Sequence, residues 1–233
     1  MQFHIGTSGY SYKEWKGSFY PKDLPQDGML AFYAERFASV EINGSFYRLP
    51  TADTVKAWTK QVPEEFEFVL KSPQTITHFK RLKEPKTTLK PFLKIAAILK
   101  DRRGPLYFQL PSNFKKDLPR LNEFLVALKK AGPITFEFRH ASWFDDETFA
   151  LLRSHTCALC INDSDESPFT TIVSTTSWGY LRLRRGNYTD AQLKSWLKQI
   201  RKQPWKEAYI FFMHEDTGTG PKFAAQFIEL AAS

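Results

Sequence analysis

The chain has 233 residues, 42% hydrophobic and 15% aromatic, which excludes a disordered or low-complexity segment and a minimal stapled domain. Its two cysteines make no disulfide framework, no apolar run reaches the roughly 20 residues of a membrane span, and the N-terminus shows no leader pattern. With 33 Lys and Arg against 25 Asp and Glu the formal charge is +8, and the expectation is one cytoplasmic domain over 1–233, with no membrane contact.

Strand patterns occur in chain order at 2–7, 39–43, 66–71, 105–110, 134–139, 156–162, 179–184 and 208–213. Helical patterns lie between and after them, at 27–37, 51–61, 87–100, 117–131, 145–154, 190–202 and 221–231. Segment 163–177 is rich in Ser, Thr and Pro and reads as a loop that replaces or precedes a helix. Thr51 and Asp53 before Val55, Trp58 and Val62 predict a capped helix start, and Pro221 after Gly218-Thr219-Gly220 predicts the first turn of the last helix. A spacing of about 29 residues per strand–helix unit is that of a βα repeat. Eight units predict an α/β fold, a single-domain (β/α)8 TIM-barrel-like architecture. An open doubly wound sheet is the alternative; it wants a glycine-rich phosphate turn after the first strand, and Gly6-Thr7-Ser8-Gly9-Tyr10 has the wrong spacing.

Strand parity carries the functional signal, because side chains alternate between faces. Val40 and Ile42 oppose Glu41 and Asn43; Leu106, Phe108 and Leu110 oppose Tyr107 and Gln109; Ile134, Phe136 and Phe138 oppose Glu137 and Arg139; Leu181 and Leu183 oppose Tyr180, Arg182 and Arg184. Lys71 shares this polar parity in the third strand. If helices cover the apolar face, these polar groups point into the barrel near the C-terminal strand ends, where barrel enzymes place their chemistry. An antiparallel sheet with one wet face gives the same alternation, but the long helical connections argue against it.

Glu41 and Glu137 are then candidate acid and base, with environments that split their pKa values. Lys71 is a nucleophile or the counter-ion of a glutamate, and Asp163 is a further carboxylate or a loop cap. Arg139, Arg182 and Arg184 are candidate anion ligands, with Asn43, Gln109 and Tyr47 orienting the substrate. Tyr10, Tyr47 and Trp143 are candidate stacking residues among the loop aromatics. His78, His140 and His214 with Glu41, Glu137 and Asp163 make a divalent metal conceivable, although no H-E-x-x-H spacing supports one and no cofactor is expected with assurance. Cys157-Ala-Leu-Cys160 lies in a predicted strand, so its thiols face opposite ways and read as core.

The positive charge is uneven. Segment 80–103 carries nine basic against two acidic residues, and segment 182–206 eight against one. Such clusters suit phosphate-rich partners, nucleic acid included, or are solvated helix faces.

These motifs together resemble the YecE-like family, the family numbered 72 among domains of unknown function. The opening Ile5-Gly6-Thr7-Ser8-Gly9-Tyr10-Ser11-Tyr12, with Trp15, Gly17 and Phe19-Tyr20-Pro21, is similar to its first signature. Val40-Glu41-Ile42-Asn43 with Phe46-Tyr47-Arg48 and Pro50 resembles its second. Lys71 with Ile76-Thr77-His78, Phe108-Gln109-Leu110-Pro111, and Glu137-Phe138-Arg139-His140 with Ser142-Trp143 resemble the next three. Arg48, within the second motif, and His140, after the fifth strand, are further candidate substrate-binding residues. The resemblance implies a TIM-barrel-like fold, with a general similarity to the xylose isomerase and endonuclease IV barrels, and supplies no activity. Two strand ends depart from the family: Arg184-Arg185-Gly186 stands for its histidine-glycine pair, and Phe212-Met213-His214 for its Phe-Asn-Asn. The leading expectation is an enzyme with hydrolase-like acid–base chemistry on a phosphate-bearing or sugar-like ligand. The alternatives are nucleic-acid binding or processing and non-catalytic binding of a small anion.

Overall fold

A computed structural model describes residues 1–165, 172–213 and 218–232. Eight strands pair in parallel and close into a barrel in chain order: β1 (Gln2–Ser8), β2 (Ser39–Ile42), β3 (Glu67–Lys71), β4 (Arg103–Gln109), β5 (Ile134–Glu137), β6 (Ala158–Asp163), β7 (Trp178–Leu183) and β8 (Glu207–Phe212). The helices are α1 (Met29–Ala34), α2 (Gly44–Tyr47), α3 (Ala52–Lys60), α4 (Pro85–Ala96), α5 (Leu118–Ala127), α6 (Asp146–Ser154), α7 (Asp190–Arg201) and α8 (Thr219–Ala232). This is the (β/α)8 fold that the spacing predicts, and the open sheet is ruled out by the β1–β8 pairing. No helix among the described residues is long and apolar enough to cross a membrane.

Local signals place most helix starts. Thr51 Oγ1 accepts from the Thr54 amide, Asp117 and Asp145 cap α5 and α6 in the same way, and Thr189 with Gln192 forms a reciprocal capping box on α7. Pro221 is the third residue of α8, still in the turn whose N–H groups lack helical acceptors. The structure differs from the sequence reading at several boundaries. α2 and a single π turn at Thr75–Phe79 were not expected, because one turn leaves no periodic trace. The 27–37 and 117–131 patterns shrink to α1 and α5, and 87–100 ends at Ala96 before a 3-10 turn. β6 begins at Ala158, not 156, because Thr156 takes a left-handed φ of 52°. Between β6 and β7 no helix occurs among the described residues, and 166–171 of that loop lie outside them.

Apolar side chains separate into two layers, as parity predicts. Val40, Phe68, Leu70, Phe108, Phe136, Ile161, Leu181 and Ile210 belong to the large core that also includes the buried helix residues. Val69, Tyr107, Ala158, Cys160, Trp178, Tyr180, Tyr209 and Phe211 form a separate cluster inside the barrel. Cys157 lies in the outer layer and Cys160 in the inner, both as free thiols. Gly6 is needed where β1 meets β2: a Cβ there would stand 2.0 Å from the Ser39 carbonyl oxygen. The close approach brings Thr7 and Ser8 level with Val40 and Glu41.

Candidate functional site

Parity and register set the next layer, at the C-terminal end of the barrel. Glu41 is level with Ser8 and Val69, Lys71 with Tyr107, Gln109 with Glu137, and Asn162 with Arg182. Arg182 is at the centre and is 1% exposed. Its Nε and Nη2 donate to Glu41 at 2.9–3.1 Å, and its Nη1 donates to Glu137 Oε2 at 3.0 Å. The two carboxylates are themselves fully buried. Ser8 Oγ and the Tyr180 hydroxyl each donate to Glu41 at 2.6 Å. Glu137 accepts from the Tyr107 hydroxyl at 2.5 Å, Gln109 Nε2 at 2.7 Å and Arg139 Nε at 2.9 Å. Buried charge is tolerable only with such full pairing, and here every carboxylate oxygen has a donor.

The electrostatics follow. Burial alone would push the Glu137 carboxyl up, but the Arg182 and Arg139 charges and the Tyr107 hydroxyl hold it well below the usual range. Burial opposes the Arg182 charge, and Glu41 above all reverses that, so its pKa is raised. The Tyr107 and Tyr180 hydroxyls are pushed up by burial, further by their carboxylate neighbours, and stay protonated donors. This is the geometry of a clamp. It suits the acid–base pair expected of Glu41 and Glu137 poorly, because protein donors already occupy the oxygens of both carboxylates. Arg182, expected to hold a ligand anion, is neutralised by protein.

Lys71 is placed differently. It is 9% exposed at the mouth, and its Nζ donates at 3.0 Å to the neutral Gln109 Oε1. Among the described residues no carboxylate lies within ion-pair distance of it, so the counter-ion alternative is not what the geometry shows. The ammonium faces the Phe46 ring at 4.3 Å and the Tyr107 ring at 5.7 Å. Burial, then the Arg182 charge, lower its pKa to about 7, only partly opposed by Glu41 and Glu137.

The remaining candidates divide. Arg139 and Arg184 lie just past the strand ends, because β5 stops at Glu137 and β7 at Leu183. Arg139 touches the cluster through Nε and is otherwise exposed, while Arg184 Nε lies 3.2 Å from Met213 Sδ, without a carboxylate partner among the described residues. Asn43 ends up outside β2, before α2, with its Oδ1 buried and unpartnered. It lines a cleft of about 380 Å³ with Tyr10, Tyr12, Tyr47 and Trp58. Tyr47 is 77% exposed and Arg48 is exposed beside it.

Two expected site residues pack into the outer wall, and a third serves a turn just past β5. Asp163 is the last residue of β6, on the face opposite Asn162, and accepts from Arg185 Nε at 2.6 Å, the Tyr188 hydroxyl at 3.0 Å and Trp196 Nε1 at 3.0 Å. It ties the β7–α7 connection to the outer wall. Trp143 is fully buried, stacks on Phe138 at 4.6 Å and donates to the Phe114 carbonyl, so it packs the core. His140 Nδ1 accepts from the Ser142 amide and serves its own turn. No group of three His, Cys, Asp or Glu comes together among the described residues, and the carboxylate oxygens of Glu41 and Glu137 face Arg182, not a common centre. His214 lies outside the described residues.

Parity reasoning missed Ser8, Tyr107, Tyr180 and Asn162 as members of the layer. Tyr107 and Tyr180 carried the right parity, but a tyrosine among apolar neighbours is no warning of charge. Asn162, with a buried unpartnered Oδ1, was the polar end of an otherwise apolar inner face, Ala158 and Cys160.

The basic segments also separate in space. The exposed lysines of α4 follow β3, and Lys194, Lys198, Arg201 and Lys202 on α7 follow β7, four strands away around an eight-stranded barrel. The two do not form one continuous surface.

A family model described as "Protein of unknown function DUF72" matches residues 4–233. The chain is similar to UPF0759 protein YecE of Escherichia coli (strain K12), 34% identical over 113 residues, which cover 48% of this chain and 42% of YecE. The match thus spans less than half the length of that relative. UPF0759 protein YunF of Bacillus subtilis (strain 168) is 23% identical over 275 aligned positions, covering 97% of this chain and 94% of YunF. Among solved structures, a DUF72 family protein from Thermotoga maritima superposes with a TM-score of 0.87 at 27% identity, over 100% of both chains. A glycoside hydrolase family 5 enzyme from Prevotella bryantii matches with a TM-score of 0.56 at 11% identity, over 100% of this chain and 96% of that one; this is likeness of fold alone.

Proposed function

The chain belongs to the DUF72 family of proteins of unknown function, and from that premise we propose that it is an enzyme acting on a small anionic substrate, phosphate-bearing or sugar-like, at the C-terminal mouth of its barrel. The observation that carries the reading is Lys71: a largely buried amine at the mouth whose hydrogen-bond partner among the described residues is a neutral amide, with a pKa lowered to about 7 by burial and then by Arg182. An amine poised near neutral pH is a base or nucleophile rather than a fixed charge. Arg139, paired to Glu137 through Nε alone, and Arg184, without a carboxylate partner among the described residues, would hold the substrate's anion with their remaining donors. Glu41, Glu137 and Arg182 are positioning residues: they keep the carboxylates away from the amine and fix Gln109 beside it.

Inorganic phosphate at low ionic strength tests the anion site. It is expected to raise the Tm of the wild-type chain, and the double variant Arg139→Met, Arg184→Met is expected to lose that rise, measured against its own Tm in chloride. No rise with phosphate, or an equal rise in the double variant, overturns the assignment.

A further inference from the structure

Lys71 has features that acid–base work alone does not require. Glu41 and Glu137 are bound by Arg182, and among the described residues no carboxylate pairs with the Lys71 amine. The Gln109 carbonyl oxygen accepts from Nζ at 3.0 Å and fixes the direction of the amine, while the Gln109 amide is itself held by Glu137 and Tyr107 at 2.7 and 2.9 Å. The Phe46 ring at 4.3 Å limits water on one side. Phe46 is held in turn by α2, whose Ser45 Oγ donates to the Lys71 carbonyl oxygen at 2.6 Å, so the wall is tied to the strand that carries the lysine. A directed primary amine against aromatic rings, with Arg139 and Arg184 donors left outside the Glu137 pair, is arranged for attack on a carbonyl carbon of a substrate whose anion lies at the arginines.

We infer that Lys71 Nζ condenses with the carbonyl of an anion-bearing aldehyde or ketone and forms an imine. The inference rests on the proposed anion site and adds the covalent step. The nitrogen lone pair forms the C–N bond, and the carbonyl oxygen becomes a hydroxyl as a proton passes to it from the nitrogen. The hydroxyl then leaves as water, taking up a solvent proton, while the nitrogen pair closes the C=N bond to give the protonated imine, whose N–H proton returns to solvent when the neutral imine forms. One water is released, no electrons are transferred, and the reverse hydrolysis frees the amine.

Borohydride reduction traps such an imine as a stable secondary amine. The full chain is incubated separately with dihydroxyacetone phosphate, pyruvate and acetone near pH 7.5, reduced, and read by intact mass and peptide mapping. The expected result is one adduct per chain, on the peptide that carries Lys71, with one or both anionic probes and not with acetone. Inorganic phosphate is expected to suppress it, and Lys71→Arg to lose it. Because Lys71→Arg is informative only if it folds, Arg139→Met is the second variant; it keeps the amine and is expected to lose adduct with the anionic probes. No adduct at Lys71 with either anionic probe, or labelling spread evenly over the surface lysines, overturns the inference. A phosphate-dependent rise in Tm without trapping defeats the imine and leaves the anion site standing, whereas the absence of both defeats the two together.

Discussion

At the N-terminal end of the barrel, His4 sits between Glu67 and Glu207 and stacks on Tyr209 at 4.3 Å, with Tyr209 donating to Glu67 at 2.8 Å. At the C-terminal end, Arg182 sits between Glu41 and Glu137 beneath tyrosine hydroxyls. Both ends place one basic group between two carboxylates. At the first, the glutamates keep 21% and 38% of their side chains in water, so each charge is shared with solvent. At the second, the charges have no solvent, and protein groups must neutralise every oxygen. The difference shows where the chain accepts electrostatic cost: the wet end shares its charges with solvent, and the dry end holds an amine, Lys71, without a carboxylate partner among the described residues.

Arg182→Met tests that contrast most severely. It leaves two buried carboxylates without their shared partner, and a loss of about 3–5 kcal/mol is expected in urea unfolding. A loss below about 1 kcal/mol would mean that water reaches the cluster and that the clamp is no clamp. Matched hydroxyl deletions come next. Tyr107→Phe removes a donor to fully buried Glu137 and should cost about 1–3 kcal/mol, whereas Tyr209→Phe removes one to partly wet Glu67 and should cost about 0.5–1.5 kcal/mol. Equal losses would erase the distinction between the ends.

The smallest effect is a pH slope. In the native chain Lys71 releases its proton near pH 7, while unfolded it holds it to about 10.5. Between these values the unfolded state binds the extra proton, so this group makes stability rise with pH. Lys71→Met should flatten the rise by an amount on the order of 1 kcal/mol after allowance for screening, read from urea midpoints at pH 7 and 9.5. An unchanged slope would place the Lys71 pKa in its ordinary range and remove the main support for amine chemistry. Glu137 acts in the opposite window: its depressed pKa contributes stability above about pH 4 that is lost as pH falls further.

Much of the fold was legible in the sequence because its signals are local. Period-2 and period-3.6 patterns, the Thr51 cap and unit spacing all act over a few residues, and eight repeats leave few ways to bury eight apolar faces. Parity placed Glu41, Lys71, Gln109, Glu137 and Arg182 inside before any contact was known. It failed at the strand ends, where Asn43, Arg139 and Arg184 pass into loops because pairing with the neighbouring strand stops one or two residues early. Asp163 lay outside its reach, because the sequence pattern ends that strand at 162 and shows only a further carboxylate or a loop cap, whereas β6 runs through Asp163 and turns it outward.

The amino-acid sequence by itself determined the barrel, its inner and outer faces, and the collection of acid, amide and basic groups at one end. Only the tertiary structure decided which basic group pairs with which acid. Arg182 comes from β7 and Glu41 from β2, 141 positions apart, and barrel closure brings them within 2.9 Å. A planar guanidinium can serve two carboxylates at once, so Arg182 takes both and Lys71 takes neither. Pairing of this kind depends on angles and distances across the barrel axis, which strand periodicity does not encode.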